Sequence, residues 1–317
     1  MNVRYDHFLE PSLLNVKGRK SISAGSFSWD IPFPGLITFG ETAPNDAEHF
    51  SKIVGVVIPV SRVVTVSYHY RSFDKGYVSP FSRPFGERDD ISEGEKGNYL
   101  GVEIKKERVL LEVYADYFSF PPSNRSFATV GKESFVNVTL PITRKFDLLF
   151  QVSQKARWEA GIHDFDDGRV QTNYRFAFSC NAMKNFSIAH RMEFVNVSYA
   201  PSGYSEKGFL TFVEGKYHSH SAGVRIVSRC IFFGTASYDS RLYQYESDVA
   251  GNYSNPPMYG KGIRWYLVAG YEMFDDFLFS FKYSETMKLN EISLGSADDE
   301  IKGNVDDRIA LQLDFQF

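Results

Sequence analysis

Cysteine is nearly absent: Cys180 and Cys230 are the only two among 317 residues. Two thiols allow one bridge at most and exclude a disulfide framework, so free thiols are expected. Long hydrophobic runs are missing too. No stretch of about 18 apolar residues occurs, which excludes a transmembrane helix. The opening MNVRYDHFLEPSLLNVKGRK has no apolar core of the kind a secretory signal carries. That leaves either a cytosolic chain or a segment separated from its targeting signal. Charge of one sign is not in excess: the formal net charge is −4 and the pI about 6.0, unlike the basic footprint of a nucleic-acid-binding domain. A Walker loop, a dinucleotide fingerprint, a Gly-x-Ser-x-Gly elbow and a Cys-x-x-Cys pair are all lacking. A non-enzyme is therefore expected, with no catalytic residue, no cofactor and no metal.

Hydrophobic residues make up 43% of the chain and aromatics 16%, which excludes a disordered polymer. Helical periodicity is almost absent, and period-two alternation runs through most of the sequence. Val64, Val66, Tyr68 and Tyr70 alternate with Thr65, Ser67, His69 and Arg71. Ile263, Trp265, Leu267, Ala269 and Tyr271 alternate with Arg264, Tyr266 and Glu272. The connections alternate as well. Tight joints near 61–62, 106–107, 143–145, 181–185, 218–221 and 275–276 are separated by polar loops near 73–95, 119–132, 157–167, 200–206, 234–261 and 287–305. Outer-membrane barrels are wired in this way, with short periplasmic turns and long external loops. The expectation is an all-β, antiparallel transmembrane β-barrel spanning 1–317 as a single domain in a bacterial outer membrane. It would have about fourteen strands in this chain. The stretches SISAGSFSWDI and GLITFGE, separated by Pro32 and Pro34, read as one kinked strand or two.

One parity of these strands is greasy and the other charged. Arg71, Asp116, Arg175, Glu193, Glu214, Arg229, Arg264 and Lys282 all fall on the charged parity. In a barrel the apolar parity faces lipid and the charged parity encloses water, and the sheet closes because every backbone group in hydrocarbon must be paired. The chain ends on DDRIALQLDFQF. There Leu311, Leu313, Phe315 and Phe317 share one face with a terminal aromatic, similar to the last strand that barrel-assembly machinery reads in outer-membrane proteins. Outer-membrane lipid, that machinery and other envelope proteins are the expected partners. A soluble all-β ligand-binding protein and an outer-membrane hydrolase with a site at the barrel mouth remain alternatives.

Several stretches together resemble a known family. LITFGETA precedes the hairpin GVVIPVSRVVTVSYHYRSF. SPFSRPFGERDDISEGEKGNYLGVEI and LEVYADYFSFPP follow, and later come KGFLTFVEGKY, YDSRLYQYESDV, PPMYGKGIRWYLVAGYEM and LGSADDEIKGN. In this order they resemble the C-terminal barrel region of competence-like helix-hairpin-helix outer-membrane proteins. The likeness covers roughly residues 20–317 and is most specific over 238–264. It implies a transport or envelope-complex role linked to DNA uptake. The family's signal peptide, helix-hairpin-helix repeats and first barrel strands have no counterpart here, so an N-terminally truncated member is expected. Direct nucleic-acid binding, which belongs to those repeats, is not supported by this chain.

The long segment 234–261 and the strand after it bring together Arg241, Tyr243, Tyr245, Glu246, Tyr259 and Arg264. A loop of this length is uncommon unless functional. It reads as a latch folded into the barrel, or as a binding site at loop and lumen. Other clusters have plainer readings. His163 to Asp167 is a solvated loop or, with His163 and Asp166, a water-activating pair. His218 and His220 cap a turn or ligate a metal. Glu87–Glu95 and Ser296–Glu300 are solvated tips or oxygen ligands for calcium.

Overall fold

The structure, a computed structural model, describes residues 3–6, 21–45, 49–77, 85–87, 94–122, 128–159, 167–274, 277–289, 291–295 and 300–315. Strands dominate, and the one helical element among the described residues is a 3-10 turn, His220–Ala222. The chain divides into two compact units. The first comprises Met1–Val136, Ser153–Val170 and Tyr199–Ser202, and the second Asn137–Val152, Gln171–Ser198 and Gly203–Phe317.

The first unit begins with a small hairpin of β1 (Val3–Asp6) and β2 (Ser21–Ala24). An antiparallel meander follows: β3 (Phe27–Phe33), β4 (Leu36–Pro44), β5 (Phe50–Pro59), β6 (Val64–Phe73), β7 (Glu95–Lys106) and β8 (Val109–Phe120). Four strands contribute residues to both units: β9 (Thr129–Pro141), β10 (Phe146–Glu159), β11 (Asp167–Met183) and β12 (Phe186–Ala200). The second unit continues with β13 (Ser205–Ser219), β14 (Val224–Thr235), β17 (Lys261–Phe274), β18 (Phe277–Lys288) and β21 (Val305–Phe315), again antiparallel. Two-residue strands lie in its loops: β15 (Leu242–Tyr243) pairs with β16 (Pro257–Met258), and β19 (Ser293–Leu294) with β20 (Ile301–Lys302). The loop alternation expected from sequence is present. Turns at 60–63, 107–108, 142–145, 184–185 and 220–223 and longer separations between strands at 74–94, 121–128, 201–204, 236–260 and 289–304 follow that order, while the expected loop near 160–166 and the tight joint at 275–276 lie outside the described residues.

The two faces of the meander differ in the way that period-two patterning demands. In the second unit Glu193, Glu214, Arg229, Arg264 and Lys282 are buried on one face, beside Val195, Leu210, Phe212, Val227, Ile231 and Tyr266. The other face is bare: Phe150 is 47% exposed, Phe176 38%, Phe279 37% and Leu313 57%. These side chains do not meet in a dry core, as a soluble sandwich would require. In the first unit Arg71, Phe73, Glu95, Asp116 and Phe118 are buried, while Tyr68, Leu100, Val113 and Tyr117 are exposed.

Two expectations are corrected. Among the described residues the ladder contains fifteen strands, not about fourteen, besides three two-stranded pairs. SISAGSFSWDI is itself divided between β2 and β3, and GLITFGE belongs to β4, because Pro34-Gly35 is a two-residue turn between Phe33 and Leu36, with Gly35 at φ 84. Proline presets the first central position of such a turn, and glycine accepts the positive φ of the second. The second correction concerns closure. Among the described residues β3 pairs only with β4 and β21 only with β18, so the sheet has two free edges rather than forming a ring. At one edge, Pro32 in β3 has no N–H to donate to a further strand.

A candidate functional site where hairpin 236–260 docks

Residues 236–260 form a hairpin, not an open loop. Leu242 pairs with Met258 and Tyr243 with Pro257, and farther out Glu246 bridges Ser254. Because this arm is extended, its side chains alternate. Leu242, Gln244 and Glu246 point toward the strands and are buried, whereas Tyr243 and Tyr245 are exposed. Gly208 of β13 makes the docking possible: a Cβ there would lie 2.4 Å from the Ser240 carbonyl oxygen. Leu242 and Met258, both nearly inaccessible, add apolar surface to the charged face.

A charge network anchors the hairpin. Arg264 of β17 donates from Nε to Glu246 Oε1 at 2.6 Å and from Nη2 to Oε2 at 2.8 Å, a two-pronged pairing. Its Nη1 reaches the Thr286 hydroxyl at 2.6 Å. Lys282 of β18 donates to Asp248 at 2.7 Å and lies 3.4 Å from Glu246. Arg229 of β14 donates to the Tyr245 carbonyl at 2.7 Å while its Nη2 holds Glu214 at 2.5 Å. Gln244 donates to Glu193 of β12 at 3.0 Å. The Tyr266 hydroxyl accepts from the Ser247 N–H at 3.2 Å and donates to Glu214 at 3.1 Å. Gln312 of β21 donates to the Ala250 carbonyl at 2.9 Å. Burial pushes the Asp248 carboxyl up, but the Lys282 ammonium and the Val249 N–H outweigh it and hold the group below the ordinary carboxylate range.

The six residues singled out from sequence separate into two groups. Glu246 and Arg264 meet in the buried network. Arg241, Tyr243 and Tyr259 lie nearer the exposed surface: Arg241 donates to the Tyr243 hydroxyl at 2.7 Å and stacks 4.1 Å over Tyr238. Tyr259 packs edge-on against Tyr238 and carries Lys288 Nζ 3.2 Å above its ring. Tyr245 is 58% exposed and contacts Tyr253. Sequence reasoning missed Leu242, Gln244, Asp248, Met258 and Lys288. The spacing of 242, 244 and 246 was the available signal, a strand period inside a segment read as loop.

Between the hairpin and strands β17, β18 and β21 lies a cavity of about 1000 Å³. Of the other candidates, His163 to Asp166 and most of Glu87–Glu95 and Ser296–Glu300 lie outside the described residues, as does Phe317. Leu311, Leu313 and Phe315 are exposed along β21. His218 and His220 stand with ring centroids 4.1 Å apart at the turn, and no cluster of three metal-ligating side chains forms among the described residues. Cys180 and Cys230 are free thiols.

The chain matches no family model and no curated protein. Among solved structures it is similar to a copper transporter, OprC, with a TM-score of 0.51 and 9% identity over 84% of this chain and 52% of that one. A weaker likeness joins it to ferric citrate transporter FecA in the unliganded form, with a TM-score of 0.40 and 12% identity over 84% of this chain and 48% of that one. The chain spans about half the length of these structures. It is an all-β antiparallel protein whose fold is like that of the copper transporter.

Proposed function

We propose that the chain is the wall of an outer-membrane β-barrel that acts in transport or as a component of an envelope complex, with hairpin 236–260 stoppering its water-filled side. The observation that carries this reading is the division of the second unit. Phe232, Trp265, Phe279 and Leu313 are exposed on one face, while Arg229, Arg264 and Lys282 are buried beneath the hairpin on the other. A bare apolar face of that extent suits acyl chains, since soluble proteins seldom leave large apolar patches exposed. The paired charges suit a hydrated interior. Two free sheet edges fit a wall completed by further strands.

In this reading the short turns face the periplasm and the long connections face outward, Leu311, Leu313, Phe315 and Phe317 are read by the assembly machinery, and the protein is not an enzyme. The resemblance to helix-hairpin-helix outer-membrane proteins favours a role near DNA uptake, without assigning nucleic-acid contact to this chain. The test is electrophoresis of the detergent-extracted protein with and without boiling, followed by planar-bilayer recording. A heat-modifiable band is expected, with conductance that rises when Glu246→Ala releases the hairpin. Solubility without detergent and a single band at both temperatures would reject the barrel.

A further inference from the structure

The cavity beside the hairpin has a built-in cation that meets no anion among the described residues. Lys288, at the end of β18, is 9% exposed and lines the cavity. Its ammonium sits over the Tyr259 ring and forms no ion pair among the described residues. The other cavity cations are committed: Arg264 to Glu246, Lys282 to Glu246 and Asp248, and Arg308 to Asp306. Glu300, the remaining carboxylate of the lining, is exposed. A buried ammonium is costly without an anionic partner, and an aromatic face replaces only part of that partnership.

Ser284 and Thr286 lie on the same face of β18 as Lys288, alternate residues being about 6.8 Å apart on an antiparallel strand. All three line the cavity. Ser284 is 3% exposed and its hydroxyl makes no hydrogen bond among the described residues. Thr286 accepts from Arg264, so its proton is left to donate. Across the ladder Arg308 pairs with Ser284.

We propose that this cavity binds a phosphate group, with Lys288 as the charge partner and Ser284 and Thr286 as hydroxyl donors. A phosphate carries several strong acceptor oxygens, matching one ammonium and two hydroxyls better than a two-oxygen carboxylate does. The inference rests on the docked hairpin of the reading above, because Asp248 and Tyr259 of that hairpin line the cavity.

The test is calorimetric titration of the detergent-solubilised full chain with inorganic phosphate at constant ionic strength, with acetate as the carboxylate control. Saturable binding is expected for phosphate, weakened about tenfold or more by Lys288→Met and largely restored by Lys288→Arg. A second titration uses micelles containing phosphatidylglycerol. Binding there but not to free phosphate identifies a lipid headgroup as the source, and binding to free phosphate identifies a solute. In the unmodified protein the bound probe should also slow acetylation of Lys288, read by peptide mass spectrometry; this serves if Lys288→Met fails to fold. The proposal is overturned if neither phosphate source binds, if acetate binds as well as phosphate, if Lys288→Met binds like the parent, or if acetylation is not slowed. If the unmodified protein shows the heat-modifiable band but binds neither phosphate source, the site alone fails, whereas absence of that band in the unmodified protein fails the barrel reading.

Discussion

Arg71 in the first unit and Arg264 in the second are both buried guanidiniums gripped by carboxylates, yet they hold different things together. Arg71 donates to Asp116 at 2.8 and 2.9 Å and to Glu95 at 2.6 Å, and its partners stand on β8 and at the start of β7. All three residues belong to the sheet, so the cluster stitches strand to strand. Arg264 meets Glu246, which arrives on hairpin 236–260, so that cluster stitches a docked hairpin to the sheet. The same chemistry therefore secures the ladder in one region and a separable hairpin in the other.

The largest expected effect comes from Arg71→Met, which strands two buried carboxylates. A loss of about 3–5 kcal/mol is expected, read as a lower denaturant midpoint for the heat-modifiable band. An unchanged midpoint would dissolve the contrast. Next come paired substitutions on the bare faces, Val113→Arg in β8 and Phe232→Arg in β14. If both regions face hydrocarbon, each costs about 2–4 kcal/mol near mid-depth. Water on either side would leave that variant within about 0.5 kcal/mol of the parent.

Glu246→Ala should cost about 1–3 kcal/mol, because Lys282 retains Asp248 and Arg264 retains Thr286. Its sign is cleavage of 236–260 by trypsin while the folded band persists; loss of the band instead would make the hairpin part of the ladder. The smallest effect is the response of the hairpin to acid. The folded Asp248 carboxyl is held below its ordinary value, so its contribution is fully present above the unfolded value of about 3.9 and is lost as pH falls through the lower folded one. Proteolysis of the hairpin should thus increase below about pH 4. Asp248→Asn should remove that part of the pH dependence, and an identical profile in the variant would exclude Asp248 as the sensor.

Much of the sheet was legible because a strand writes its two faces into alternate residues. Arg229 and Phe232, or Arg264 and Trp265, could be assigned to opposite sides from parity alone. Turn lengths were legible for the same local reason. The separate identities of β3 and β4 were not, since Pro32 and Pro34 fit a bend as well as a turn until the pairing of Phe33 with Leu36 is known. At the candidate site, Glu246 and Arg264 stood out as charges in a long loop, but neither their pairing nor the isolation of Lys288 could be read from spacing.

Alternation along a strand is a local property, so the chain alone specified strands, their greasy and ionised sides, and the rhythm of short and long connections. Which carboxylate neutralises which cation, where the ladder stops, and whether residues 236–260 hang free or lie against the sheet depend on atoms far apart in sequence. Those choices are made by long-range packing, where burial of charge permits only well-matched partners, and only the tertiary structure decided them.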